Sequence, residues 1–181
     1  WMRLSMHESH VYREAEAEGK TKAAPVREVF ARHWKPVLQG TFIMVATYVL
    51  FYIMTAFAQV YFKTPATLSD FGHPQGLGLP ANTFTGFLMI SAVVFGAAIS
   101  FSGVRADKIG RRRFLIGVTA AILVLGLAMP LFLTNGTPAS VFAFLMVGML
   151  LMGLTFGPMA ALLPELFPTE VRYSGASLAY N

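Results

Sequence analysis

Three stretches of this chain contain no Asp, Glu, Lys or Arg: residues 36–62, 71–104 and 114–164, of 27, 34 and 51 residues. An α-helix rises 1.5 Å per residue, so about 20 apolar residues cross the hydrocarbon core of a bilayer. The pattern predicts spans at about 37–62, 83–102, 114–133 and 141–163. The longest stretch divides in two because Thr134-Asn135-Gly136-Thr137-Pro138 has the chemistry of a tight turn. Between the first two spans, Pro65, Asp70, Gly72, Pro74, Gly76, Gly78 and Pro80 mark a loop from Lys63 to Asn82. A basic loop, Gly103 to Arg113, separates the second and third spans. A polar connector, Pro164 to Arg172, follows the fourth, and Tyr173 to Asn181 reads as the start of a fifth helix cut short. Residues 1–36 are polar. Within them Arg13-Glu14-Ala15-Glu16-Ala17-Glu18, closed by Gly19, predicts a short solvated helix, and Val26 to His33 a second, amphipathic one.

Composition strengthens this pattern. Hydrophobic residues make up 55% of the 181 and charged residues 13%, against about 25% charged in a soluble domain. Mean hydropathy is +0.59. A soluble secreted domain, a disordered tail and a nucleic-acid binder are excluded, and an all-α integral membrane protein is left. The net charge of +5 then speaks of orientation rather than of polyanions. Residues 1–36 hold seven basic side chains, 103–113 five and 164–172 one, while the alternate loops hold Lys63 alone. Thirteen of fourteen therefore fall on one side, which the positive-inside rule assigns to the cytoplasm together with both ends of the chain.

Candidate chemistry is sparse. Without cysteine there is no disulfide, thiol nucleophile or thiolate metal site. His7, His10, His33 and His73 lie outside the spans with no metal-ligand spacing. No metal, cofactor or nucleic-acid partner is expected. The first residues lack the apolar core of a secretory signal, and the chain reads as an excerpt of something longer. Asn135-Gly136-Thr137 fits a glycosylation sequon, read here as an ordinary turn.

The second interspan loop reads Gly103-Val104-Arg105-Ala106-Asp107-Lys108-Ile109-Gly110-Arg111-Arg112-Arg113. Gly103 permits close helix approach and Gly110 a backbone turn without side-chain penalty. Asp107 can accept hydrogen bonds from arginine or from a helix N-terminus. Topogenic charge accounts for the arginines, but for neither Asp107 nor the glycines. The loop meets every specified position of G-x-x-x-D-[RK]-x-G-R-[RK] and so resembles the cytoplasmic signature of the major facilitator superfamily. The resemblance implies a conformational latch built from Gly103, Asp107, Lys108, Gly110, Arg111 and Arg112. After the fourth span, Glu165 and Arg172 resemble the E-x6-R pattern of sugar-porter-like members, and the resemblance counts them in the same latch. The run Pro164 to Gly175 is similar to the metabolite:proton symporter branch, whose members carry proline, betaine, shikimate, citrate and related small zwitterions and acids. Residues 3–10 are similar to that family's P-E-S-P element, with His7 and His10 in place of the prolines. On this resemblance the four spans are helices seven to ten of a twelve-helix transporter, and residue 173 onward begins helix eleven. The protein would sit in the bacterial inner membrane beside the remaining helices of the same transporter.

Within the first span, Thr41, Tyr48, Tyr52, Thr55 and Gln59 fall within an arc of about 60° at 100° per residue, with Thr47 off it. Such a stripe faces protein or a water-filled cavity rather than lipid. Tyr48, Tyr52, Thr55 and Gln59 are the expected substrate-lining residues; bonding to neighbouring helices is the alternative. In the fourth span Gly153 and Gly157 form a small-x-x-x-small face, and Pro158 can bend the helix, as a gate or as a static kink. No span carries an Asp, Glu, His, Lys or Arg, so a coupling proton would need a carrier elsewhere in the protein. The resemblance implies a secondary active transporter of a small polar or charged metabolite, proton-coupled and working by alternating access. A sugar transporter of the same superfamily and an inactive truncated transporter are the alternatives. A membrane enzyme would have only Asp107, Glu165 and Glu170 to work with.

Overall fold

The computed structural model describes residues 25–65, 76–134, 137–169 and 171–180. Every regular element among them is helical: α1 (Pro25–Arg32), α2 (Trp34–Tyr52), a π-helical turn (Ile53–Phe57), α3 (Ala58–Lys63), α4 (Ala81–Ile109), α5 (Arg111–Thr134), α6 (Pro138–Glu165) and α7 (Arg172–Tyr180). The stretch Trp34–Lys63 is one helical crossing of 30 residues, and α4, α5 and α6 are 29, 24 and 28 residues long. Hydrocarbon offers a backbone amide no water, so each apolar stretch satisfies its own hydrogen bonds by coiling.

The four expected spans are all present, each longer than its apolar core. The largest difference falls on residues 103–113. The sequence predicts a loop there, but α4 runs on to Ile109 and α5 begins at Arg111, so Gly110 alone separates them. Charged side chains do not oppose a helix once it leaves the hydrocarbon, and Val104 to Ile109 contain neither Gly nor Pro. Likewise α6 continues through Pro164 to Glu165, where a connector had been expected. The predicted helix over 13–18, the P-E-S-P-like residues 3–10, His73 and the Asn135-Gly136 turn lie outside the described residues.

The chain forms two compact units: Trp1–Phe42 with Leu163–Asn181, and Ile43–Leu162. In the first, α1 packs on α7 and Val29, Phe167, Val171 and Ala179 are buried. A Cβ added at Gly40 would sit 2.7 Å from the Ala179 Cβ, so a side chain there would push α2 and α7 apart.

In the second unit the core runs from Leu50, Met54, Ala58 and Phe62 through Phe84 and Val118 to Phe144, Leu145 and Met152. Ring contacts join its helices: Phe62 to Phe84 at 5.6 Å, Phe87 to Phe142 at 5.0 Å, Phe95 to Phe156 at 5.6 Å and Phe132 to Phe144 at 5.7 Å. Half of the apolar window of α6 is buried, against 17% for α4 and for α5, which makes α6 the central helix. Returning chain closes the open end of α3: the amides of Leu77, Gly78 and Leu79 donate to the carbonyls of Tyr61, Thr64 and Phe62, satisfying acceptors that a helix end leaves bare.

Between α4 and α6 the approach is close. A Cβ at Gly157 would collide with the Ser102 hydroxyl and come within 2.6 Å of the Ile99 carbonyl; one at Gly153 would come within 2.6 Å of the Ala98 Cβ. Ser102 Oγ reaches across to the Gly153 carbonyl at 3.2 Å. Gly157→Ala should therefore destabilise the protein by about 1–3 kcal/mol, as overpacking does. Gly117→Ala, on the open face of α5 with no atom within 4 Å of the new methyl, should leave the thermal midpoint of the purified protein unchanged or raise it slightly.

Candidate functional site

The α4–α5 junction turns on Gly110, at φ 98° and ψ 121°, a backbone conformation that a side chain would strain. Its amide donates to the Ala106 carbonyl at 2.9 Å and its carbonyl accepts from the Phe114 amide at 3.0 Å, so the hydrogen-bond ladder carries through the bend. Asp107 lies in the last turn of α4, and Arg111 opens α5. Arg111 donates to the Asp107 Oδ1 twice, from Nε at 3.0 Å and from Nη2 at 2.9 Å.

The Asp107 side chain is 62% exposed and that of Arg111 28%, so the pair contributes only about 0.3–0.5 kcal/mol. That is enough to bias a conformation and too little to hold a fold. Lys108 and Arg112 are exposed beside it, while Ala106 is buried. Gly103 behaves differently from expectation. A Cβ there would meet no atom within 4 Å, and the close approach is instead made by Gly157, whose added Cβ would lie 3.0 Å from the Gly103 amide nitrogen.

Glu165 and Arg172 belong to the other compact unit. Glu165 ends α6, and the amides of Leu166 and Phe167 close the turn on the carbonyls of Leu163 and Pro164. Arg172 opens α7 and donates through Nε to the Phe167 carbonyl at 3.3 Å. The Phe167 ring packs against Gly175, where an added Cβ would collide with it. The two charged residues thus bracket a compact turn.

The five-residue stripe of the first span is not continuous. Ile53–Phe57 form a π-helical turn, closed by the Ala58 amide on the Ile53 carbonyl. An i→i+5 turn takes up one residue more than an α turn, so residues beyond it lag by about 100°, one residue's rotation. Thr41, Tyr48 and Tyr52 keep one face, and Gln59 is turned away from it. Tyr52 is 63% exposed and meets the Phe51 ring edge-on at 5.5 Å. Tyr48, Thr55 and Gln59 are half-buried, and Thr55 donates to the Phe51 carbonyl at 2.7 Å. Nothing in Ile-Met-Thr-Ala-Phe announces the π turn, since it holds neither Gly nor Pro. Thr47, the residue off the stripe, is wholly buried. Being the polar exception was its signal.

Gly153, Gly157 and Pro158 lie together on the central helix, with the two glycines against α4 and Pro158 fully buried inside an unbroken α6.

A bundle of apolar crossings with a charged pair at a one-residue helix junction defines a polytopic helical membrane protein. The chain belongs to the Major Facilitator Superfamily, whose family model matches residues 2–181. It is 71% identical over its whole length to a Haemophilus influenzae protein named "Putative metabolite transport protein", of which it covers 41%. It is 45% identical to the inner membrane metabolite transport protein YhjE of Escherichia coli K12, covering 40% of that protein. With the ectoine/proline transporter ProP of Corynebacterium glutamicum it shares 29% identity over 84% of this chain and 28% of that one. The chain thus spans about two fifths of the length of its nearer curated relatives. No solved structure matches it.

Gly110→Ala should cost about 1–3 kcal/mol, the range for a residue forced into a glycine-type backbone conformation. Asp107→Asn should cost less than about 0.5 kcal/mol, because the pair it breaks is exposed. Unfolding of the purified, membrane-extracted protein checks both, and a loss for Asp107→Asn as large as that for Gly110→Ala would show the ion pair to be as structural as the glycine.

Proposed function

We propose that this chain supplies helices seven to ten, and the start of helix eleven, of a twelve-helix secondary transporter. The transporter moves a small polar or charged metabolite across the bacterial inner membrane by alternating access. The carrying observation is the Asp107–Arg111 pair across Gly110: a weak, exposed ion pair at a hinge-like junction can break and re-form as the helices move, which suits a switch rather than a strut. The names of the relatives support the class of cargo, with metabolite transport for the nearer ones and ectoine and proline for a more distant one. The distribution of basic residues supports placing both ends of this chain in the cytoplasm. Lys108, Arg112, Glu165 and Arg172 complete the cytoplasmic charge set in this reading.

Tyr48 and Tyr52 line the solute path on one face of the first crossing, with Thr55 and Gln59 displaced from it by the π turn. Coupling to protons accords with the resemblance to metabolite:proton symporters, and its proton carrier lies outside the apolar cores of these four crossings. The small-residue contact at Gly153 and Gly157, with Pro158 beyond it, is the place where α6 bends during the cycle. A transporter reading leaves Asp107, Glu165 and Glu170 no catalytic task.

In the intact transporter, Asp107→Asn and Arg111→Ala should each slow uptake by about tenfold or more, equivalent to ~1.4 kcal/mol on the barrier, with membrane levels near normal. Loss of protein in step with uptake would assign the pair to folding instead. Tyr48→Phe and Tyr52→Phe should raise the half-saturation constant for uptake without impairing membrane insertion, while Gln59→Leu should leave it nearly unchanged; unchanged kinetics in both tyrosine variants would remove these residues from the path.

A further inference from the structure

Thr47 differs from the other buried hydroxyls of the crossings, Ser91, Ser102 and Thr155, each of which bonds a carbonyl. Thr55, Thr85, Ser91 and Thr134 each donate to the carbonyl four residues back, while Ser102 and Thr155 bond carbonyls three residues back. Thr47 has no exposed surface, and its Oγ1 has no hydrogen-bond partner. The oxygen is sealed from solvent, so no water-sized space adjoins it to repair the deficit. A hydroxyl buried without a partner is disfavoured strongly enough to matter in a two-state equilibrium.

A stranded acceptor lies at the same depth. Met54 on the first crossing packs against Gly148 of α6. The first and fourth crossings of a four-crossing chain run in opposite directions. Seven residues, two helical turns, lead back from Met54 to Thr47 on the same face, and seven lead forward from Gly148 to Thr155. Pro158 has no amide hydrogen, so the carbonyl four residues before it, that of Leu154, receives no helical N–H. Its neighbours are served by side chains: the Gly153 carbonyl accepts from Ser102 and the Met152 carbonyl from Thr155. Leu154 is half-buried beside them.

We infer that Thr47 is a positioning residue of the transport cycle: in a second conformation its hydroxyl donates to the Leu154 carbonyl freed by Pro158, clamping the first crossing to α6. The described structure holds that clamp open. The inference rests on the alternating-access reading for its purpose, and on Thr47 and Pro158 for its chemistry.

The test uses the intact transporter carrying a single cysteine at position 59, labelled by a membrane-impermeant maleimide as a measure of conformational balance. Thr47→Val keeps the shape and removes the hydroxyl. It should change the labelling rate by about fivefold, the weight of one net hydrogen bond, while Thr47→Ser stays at the wild-type rate. In a Pro158→Ala background, where Leu154 regains an N–H, Thr47→Val should change labelling by less than about twofold, because two partners of one bond are not additive. Equal effects of Thr47→Val in both backgrounds, or no effect in either, would overturn the clamp. Labelling needs no substrate, so absence of uptake in every version would count against the transport reading while leaving the Thr47–Leu154 result to stand or fall separately.

Discussion

A peptide group inside hydrocarbon has nothing to bond but protein, and this one constraint organises the chain. It turns the apolar stretches into unbroken helices. It also makes breaks in the hydrogen-bond ladder costly, so departures carry information. The second unit contains three in its crossings: the π turn at Ile53–Phe57 and the missing amides at Pro130 and Pro158. Helices that cannot rely on a hydrophobic drive to find each other in lipid associate instead through close packing. The α4–α6 contact does so with glycines at 153 and 157 and with the Ser102 hydroxyl placed on the Gly153 carbonyl.

The α4–α5 junction follows different physics because it has left the hydrocarbon. There the ladder is kept through a single glycine, and charged side chains extend both helices. The Asp107–Arg111 pair is open to solvent and correspondingly weak. Close packing deep in the crossings thus stands against weak ionic contact at the α4–α5 end.

Much of this was legible in residue order. Runs without charge located the four crossings, because helix length and bilayer thickness are both fixed quantities. Gly110 was legible as a turn, and its positive φ is the reason. The helical ends around it were not, because a basic segment looks like a loop whether or not its backbone coils. The polar stripe was half legible. An angle of 100° per residue holds only where every turn is an α turn, and one extra residue in the turn after Tyr52 moves Gln59 off the line. Gly157 makes the close approach that its spacing suggested and Gly103 does not, since small residues show where helices can approach but not which of them faces the contact.

The sequence alone determined that the chain is a set of membrane-crossing helices, which end carries the positive charge, and which glycines and carboxylate sit between the crossings. These are local matters, governed by transfer free energy and by backbone sterics one residue at a time. Tertiary structure alone decided that α6 is the central helix, that the first crossing is dislocated by a π turn, and that Thr47 is sealed without a partner. Each of these depends on which helix faces which at a given depth. Packing between segments distant in sequence settles that, and no single segment encodes it.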